Sequence, residues 1–441
     1  MLKLSSKKLV EILDIKNKVI DVEIENVVTD SRKIKKGDLF IALRGENFDG
    51  HNFVKQALEQ GAQLVIVDRL FEDIDKDRQL VVTDTLKAYG LIGAFNRSLY
   101  KGVVIGLTGS SGKTTTKEEL KEVLSVYGKV YATQANFNNN VGVPLTLCDL
   151  DMDSDFAIIE MGMSASGEIR ELVSYVQPDI AIVTNVYPMH IEFFADLKGI
   201  AEAKAEIFEG LKKQGKAIIN EDTNFADVLR KKAIENGAEV YSFGKNNHVN
   251  IKLDLQDKGE HNFYNAWCVL TVTDVLGLDI NKAVDVLNNF KALAGRGAKH
   301  NLQLPAGGEF MLIDDSYSGQ PEAMKLALIE LSKLNCEGRK IAVLGKMAEL
   351  GASSKEQHIG IGKLISNLDI DIVVGVCEEM KDMLAQLPAE KEKYYFDNNN
   401  GLDEFLLNNC LQNKDILLIK GARYSSRMYQ TAESLIKKGS K

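Results

Sequence analysis

Proline is scarce in this chain, six among 441 residues, and no low-complexity segment interrupts it, which leaves little room for disordered linkers. Cysteine is scarce too. Cys148, Cys268, Cys336, Cys377 and Cys410 lie far apart with no C-x-x-C pair. That excludes a disulfide framework or a Cys-based zinc site and suits reduced core residues of a cytoplasmic protein. No apolar run approaches the ~18 residues of a membrane-spanning helix, so no membrane span is expected, and Glu11 and Asp14 break the N-terminal apolar stretch that a signal peptide would need. Positive charge is in deficit: 54 Lys and Arg against 63 Asp and Glu leave a net charge of −9. A general basic field for nucleic acid is therefore excluded, and a polyanionic substrate would need local cationic clusters or metal ions. What remains is an ordinary globular composition, 45% hydrophobic and 27% charged. The length suggests three domains at about 150 residues each.

The most informative stretch is Gly106 to Glu119, GLTGSSGKTTTKEE. An apolar run from Gly102 to Ile105 precedes it as a buried strand, and Leu120, Val123, Leu124 and Tyr127 follow at helical spacing. A glycine loop between a strand and a helix turns several N–H groups inward, and the helix N-terminus adds its positive end, which together make a phosphate cradle. Gly109, Ser110, Ser111 and Gly112 form the cradle, Lys113 would reach the outer phosphates of a nucleotide, and the Thr114 hydroxyl would ligate Mg²⁺, with Thr115 beside it. The general pattern G-x-x-x-x-G-K-[ST] asks for glycine at 107, where this chain has Leu107.

Around that loop the chain reads as α/β throughout, in three parts: 1–98, a small N-terminal domain; 99–308, a parallel-sheet nucleotide-binding domain; and 309–441, a doubly wound, Rossmann-like domain. In the first, Val28 to Phe53 (VTDSRKIKKGDLFIALRGENFDGHNF) is dense in Gly, Asp, Ser and Arg between strands, which suits either small-molecule binding or a pair of hairpin turns. In the second, Asn136, Asn138, Asn139 and Asn140 crowd one loop and offer amide groups for a tight turn or a polar ligand. The strand Phe156 to Ile159 delivers Glu160 to its C-terminal end, and Ile180 to Val183 leads through Asn185 to His190, so Glu160 and His190 suggest metal ligands. In IAEAKAEIFEGL, Lys204 shares a helical face with Ile200, Ile207, Phe208 and Leu211. Burial there would lower its pKa and make a neutral amine that can take up CO₂ as a carbamate, although pattern alone favours a packed stem with a head in water. Asn265 lies near the start of a helix opened by GEHNFYNA, where it contacts a ligand or caps the helix, and Arg296 sits in a Gly-Arg-Gly turn suited to phosphate. In the third part, strands are expected at Phe310 to Ile313, Ile341 to Leu344, Ile372 to Val376 and Ile416 to Ile419. Asp314, Asp315, Ser316 and Tyr317 close the first of these, and Lys420, Arg423 and Arg427 supply the local positive charge that the chain otherwise lacks.

Taken together these motifs resemble the Mur ligase family, over essentially the whole chain. TGSSGKTTT matches the family's phosphate loop, which accounts for the missing glycine at 107. FNNNVGVPLTL, DDSY and VLGKMAELG are similar to the member that adds D-alanyl-D-alanine to UDP-N-acetylmuramoyl-tripeptide. The resemblance implies a UDP-binding first domain and an ATP-dependent, ADP-forming ligase working through an acyl phosphate. It also implies a cytoplasmic monomer of peptidoglycan precursor synthesis. It implies that Thr114 and Glu160 hold one Mg²⁺ and that His190 with a carbamylated Lys204 serves a second. Lys113, His190 and Lys204 become the catalytic set. Lys113 and Arg296 contact phosphates, Asn265 the adenine and Asp315 the ribose. Ser31 and Arg32 lie near the UDP group, with Asn138 and Asn139 as further substrate contacts. Two departures stand out: Ser318, Gly319 and Gln320 replace the family's Asn-Ala-Asn before Pro321, and Lys346 stands where aspartate is usual. The alternatives are the preceding ligase, which adds the third amino acid, or a nucleotide-binding protein without catalysis.

Overall fold

The computed structural model describes residues 4–16, 18–45, 48–249 and 251–440, so Glu46 and Asn47 of the Gly- and Asp-rich loop lie outside the described residues. The chain falls into two compact units, one made of 1–185, 201–250 and 266–284, the other of 186–200, 251–265 and 285–441. Each is α/β.

The first unit carries two parallel sheets. In the smaller, strands β1 (Val27–Val28), β2 (Leu39–Ile41), β3 (Leu64–Val67) and β4 (Gln79–Val81) lie in chain order. β3 is apolar and buried along its length, as a strand covered on both faces must be. The helix Val54–Gln60 before it stops at Gly61, whose left-handed backbone donates to the Ala57 and Leu58 carbonyls. The larger sheet has six parallel strands: β5 (Val103–Thr108), β6 (Val130–Ala132), β7 (Phe156–Glu160), β8 (Ile180–Val183), β9 (Lys216–Asn220) and β10 (Glu239–Phe243), in the order β6-β7-β5-β8-β9-β10. The order reverses at β5, so a crevice opens at the C-terminal ends of β5, β7 and β8. The expected Gly102 to Ile105 strand is β5, extended to Thr108.

A buried arginine joins the two sheets' helices. Helix α1 (Thr85–Leu99) starts at Asp84, whose carboxylate accepts from the Leu86 and Lys87 amides. Near its end, Arg97 is almost fully buried and donates from Nε to the Val176 carbonyl at 2.8 Å and from Nη2 to that of Gln177 at 2.9 Å. These are the free carbonyls at the end of helix α2 (Glu168–Val176). Asp179, 3.5 Å from Nη2, balances the charge.

The second unit is built on one six-stranded sheet: β11 (Ala298–Gln303), β12 (Glu309–Asp315), β13 (Lys340–Gly345), β14 (Ile372–Val376), β15 (Glu392–Phe396) and β16 (Ile416–Lys420), ordered β11-β12-β16-β13-β14-β15. Alternate residues enter separate cores on the two faces: Leu312, Ile341 and Val343 in one, Ile313, Ala342 and Leu344 in the other. All pairings are parallel except that of β11 with β12. β11 has the mostly polar sequence AKHNLQ and carries no apolar run that marks it as a strand; it is held by its hairpin partner. The face shared by Ile200, Lys204, Ile207, Phe208 and Leu211 also takes a different form. The α-helix Leu197–Ala205 tightens into a 3₁₀ turn over Glu206–Gly210, though Ile200, Ile207 and Phe208 remain buried.

Arg97→Met keeps the apolar stem but strands two carbonyls and Asp179. The expected loss is about 3 kcal/mol, read as a lower urea midpoint for the transition reported by far-UV circular dichroism.

Candidate active site

At the end of β5 the chain bends through Gly109 to Gly112, and helix α3 (Lys113–Leu124) begins directly at the lysine. Neighbouring strand β8 fixes the bend. A Cβ on Gly109 would lie 1.8 Å from Thr184 Oγ1. Thr184 Oγ1 donates to the Ser111 carbonyl at 2.8 Å, and Asn220 Nδ2 holds the Thr184 carbonyl at 2.9 Å. Asn185 does more: its carbonyl accepts from the Ser110 amide at 3.1 Å, its Oδ1 from the Ser111 amide at 2.8 Å, and its Nδ2 donates to the Ser111 carbonyl and hydroxyl. Lys113 folds back, Nζ donating to the Gly109 carbonyl at 2.7 Å, poised over its own loop. Thr115 lies in the same first turn, partly exposed.

Under the loop stands Glu160, the last residue of β7 and almost fully buried. Its Oε1 accepts from Asn138 Nδ2 at 2.8 Å and from the Thr114 hydroxyl at 3.3 Å. Its Oε2 is buried and has no hydrogen-bond partner among the described residues. A bare buried carboxylate oxygen is costly, and such positions mark strain, catalysis or a missing ion. Asn138 is itself held, its carbonyl accepting from the Gly162 amide at 2.7 Å. Asn139 Oδ1 accepts from the Val141 and Gly142 amides just ahead of the helix Gly142–Cys148.

Lys204 is 2% exposed. Burial, with the charge of Lys113 adding to it, pushes its amine well below the ordinary lysine value, which favours the neutral form. On the smaller sheet, Ser31 and Arg32 form a 3₁₀ turn capped by Asp30, and the Arg32 guanidinium grips the Asp30 carboxylate through two 2.9 Å bonds. The hydrogen bond from Arg32 is the main reason that Asp30 is held at about 2.

The second unit holds the other expected residues. His190 has left-handed backbone, φ 56°, and its Nδ1 lies 2.7 Å from Glu349 Oε2. Asn265 is buried near the start of the helix Glu260–Val275. Arg296 lies over the Tyr317 ring, 4.1 Å from its centroid, and Arg423 over the same ring at 5.1 Å. Asp314 holds this turn, Oδ2 accepting from the Gly295 amide at 2.8 Å and Oδ1 from the Ser316 hydroxyl at 2.5 Å. Asp315 meets Lys420 Nζ at 2.5 Å; its enclosure raises its pKa, while Lys420, His261 and Arg296 oppose the rise. Gln320 Oε1 is buried with no hydrogen-bond partner among the described residues. Residue patterns place Asn185 and Asp314 at strand ends without naming their partners, and they give Glu349 no role.

Domains of Mur ligases match the chain in order: the Mur ligase family catalytic domain over residues 23–89, the Mur ligase middle domain over 107–267, and the Mur ligase glutamate ligase domain over 302–423. The UDP-N-acetylmuramoyl-tripeptide–D-alanyl-D-alanine ligase of Escherichia coli K12 is 33% identical over 463 aligned positions, covering 100% of both chains. Among solved structures, MurF from Acinetobacter baumannii superposes with a TM-score of 0.88 at 31% identity, covering 99% of each chain. The MurF ligase of Thermotoga maritima in complex with ADP superposes at 0.81 with 28% identity, over 94% of this chain and 97% of that one.

Gly109→Ala forces a methyl group into Thr184. Relief of that overlap at roughly 1–3 kcal/mol is expected to weaken nucleotide binding about 10- to 100-fold, measured by titration with a fluorescent ADP analogue.

Proposed function

The chain belongs to the Mur ligase family, and on that premise we propose how its residues carry out the family's chemistry. It is an ATP-dependent, ADP-forming ligase that joins D-alanyl-D-alanine to UDP-N-acetylmuramoyl-tripeptide in peptidoglycan precursor synthesis. The observation that carries the site reading is the bare Oε2 of Glu160 beneath the phosphate loop, beside the Thr114 hydroxyl.

In the proposed sequence the terminal carboxylate of the tripeptide attacks the γ-phosphorus of ATP, ADP departs, and an acyl phosphate remains. The amine of D-alanyl-D-alanine then attacks the acyl carbon, the C–N bond forms, and inorganic phosphate leaves with loss of the amine's proton. The loop amides and Lys113 hold the outer phosphates, Lys113 exchanging the Gly109 carbonyl for a phosphate oxygen. Asn265, Arg296 and Asp315 are the proposed nucleotide contacts of the second unit, and Ser31 and Arg32 those of the UDP group.

Mg²⁺ fits Thr114 and Glu160, since it favours oxygen ligands and takes few from protein. Among the described residues no group of three or more His, Cys, Asp or Glu side chains forms a metal cage, so substrate phosphates and water would complete the shell. Bound there, the ion supplies charge neutralisation between the γ-phosphate and the incoming carboxylate, which repel strongly in a dry site. His190 and Lys204 are proposed for a second ion. A neutral Lys204 amine can add to CO₂, forming an N–C bond and releasing one proton, to give a carbamate whose two oxygens share one negative charge. We further propose three domains, 1–98, 99–308 and 309–441, with the strand Ala298–Gln303 as a lead-in captured by the third sheet. A monomer working in the cytoplasm is proposed with them; the five free cysteines suit that compartment.

Phosphate release from ATP, with UDP-tripeptide and a panel of amino acids and dipeptides, is expected only with D-alanyl-D-alanine. Release with a single diamino acid on UDP-dipeptide would move the enzyme one step earlier, and no release with any pair would overturn the ligase assignment. Lys204 gives a second test. Its folded pKa lies below its unfolded one, so between the two values the unfolded chain binds the extra proton and stability rises with pH, the penalty vanishing near 10.5. Lys204→Met is therefore expected to be more stable than the unmodified protein at pH 7 in CO₂-free buffer, with the gap closing as pH rises. Its turnover should fall about a hundred-fold or more. A ¹³C carbamate signal from labelled bicarbonate should be present in the unaltered protein and absent from the variant.

A further inference from the structure

Two short loops of the second unit meet through residues whose backbones ordinarily avoid such conformations. Glu349 has φ 59° and His190 φ 56°, both left-handed and neither glycine. Each such residue costs on the order of 1–3 kcal/mol unless its surroundings over-determine it, and strain of this kind concentrates where a side chain must be aimed. Here the surroundings do determine it. Met347 and Leu350, on either side of Glu349, are buried in the core beneath β13. The Met347 amide donates to His358 Nε2 at 3.1 Å, and His358 Nδ1 is tied to the Ser354 carbonyl at 2.7 Å. The Ser353 amide closes the turn on the Leu350 carbonyl at 3.0 Å. Across from it, His190 opens the 3₁₀ turn Ile191–Phe193, with the Phe193 amide donating to its carbonyl at 3.0 Å. The loops touch so closely that a Cβ on Gly351 would come within 2.8 Å of Glu192 Cβ.

This interlock delivers Glu349 Oε2 to 2.7 Å from His190 Nδ1. Among the described residues the buried Nδ1 is aligned in no hydrogen bond, so the approach is a close contact short of hydrogen-bond geometry. Catalytic hydrogen bonds commonly tighten only when substrate is bound. The carboxylate, 45% exposed, is the negative partner of a ring that is 14% exposed. A carboxylate at Nδ1 favours the proton there and leaves the Nε2 lone pair for other work, the arrangement by which a second-sphere carboxylate orients a histidine.

We propose that Glu349 is a positioning residue, fixing the His190 ring with Nδ1–H toward itself and Nε2 as the working nitrogen. This rests on the role proposed for His190 above. The test uses the full-length protein with ¹⁵N-labelled histidine, His190→Ala identifying the His190 ring signals. In the unaltered, ligand-free protein the His190 ring should show a protonated Nδ1 and an unprotonated Nε2. Glu349→Met, at a half-exposed position where folding is undemanding, should lose that bias. It should also raise the Mg²⁺ concentration for half-maximal rate about 10- to 100-fold while leaving the KM for D-alanyl-D-alanine unchanged. Glu349→Gln, which keeps an acceptor oxygen, should recover much of both, which a loop held only by packing would not show. An unchanged tautomer and Mg²⁺ demand in Glu349→Met, with His190→Ala impaired, overturns the inference and leaves His190 in its role. An unimpaired His190→Ala overturns both.

Discussion

No side chain fits between Gly109 and Thr184, and the site in the first unit follows from that contact. The two residues lie at the ends of adjacent parallel strands, so the phosphate loop is folded against the next strand and does not stand free. With the cradle pressed there, Thr184 and Asn185 can take up its polar groups, which fixes the curl before any nucleotide arrives. A preorganised cradle spends little binding energy on ordering itself, leaving more for the phosphates. The same sheet order puts β7 on the other side of β5, and Glu160 therefore comes up beneath Thr114.

The architecture was legible in the sequence wherever the relevant forces are local. Apolar runs marked β5, β7, β8, β13, β14 and β16 because strands buried on both faces must be apolar throughout. Gly-Lys-Thr marked the cradle because its geometry is a property of a few consecutive residues. β11 was not legible, since AKHNLQ becomes a strand only through pairing with β12. The single helical face through Lys204 was half legible: spacing predicted its buried residues but not the tightening into a 3₁₀ turn. Among the candidate residues, position on an element marks Glu160 at a strand end and the stem of Lys204 as buried, a carbamate there being suggested only by the resemblance, while the hydrogen bonds of Asn185 and Asp314 and the contact of Glu349 act across sequence gaps that no spacing rule spans.

Lys204 shows how far the site departs from what stability alone would choose. A lysine among Ile200, Ile207 and Phe208 loses its hydration, and the charge of Lys113 disfavours its protonated form further. The fold buries an amine at a cost that an apolar residue would avoid. Glu160 bears a related cost in its unpartnered oxygen. Both penalties sit in the unit that holds the phosphate loop, and both would be relieved by chemistry rather than packing: an added CO₂ in one case, a cation in the other.

The two departures from the family pattern differ in physical kind. Lys346 introduces a positive charge at the end of β13, but Glu379 meets its Nζ at 3.0 Å, so the change is neutralised by a neighbour in the same unit. Gly319 is demanded by its surroundings, because a Cβ there would lie 2.3 Å from the Ala422 amide nitrogen. The loop before Pro321 is thereby pressed against the turn that follows β16, the turn carrying Arg423. Gln320 has unspent polarity, its buried Oε1 lacking a donor among the described residues. An amide oxygen in that condition is tolerable where a ligand's N–H or O–H or an ordered water completes it, and costs stability where nothing does.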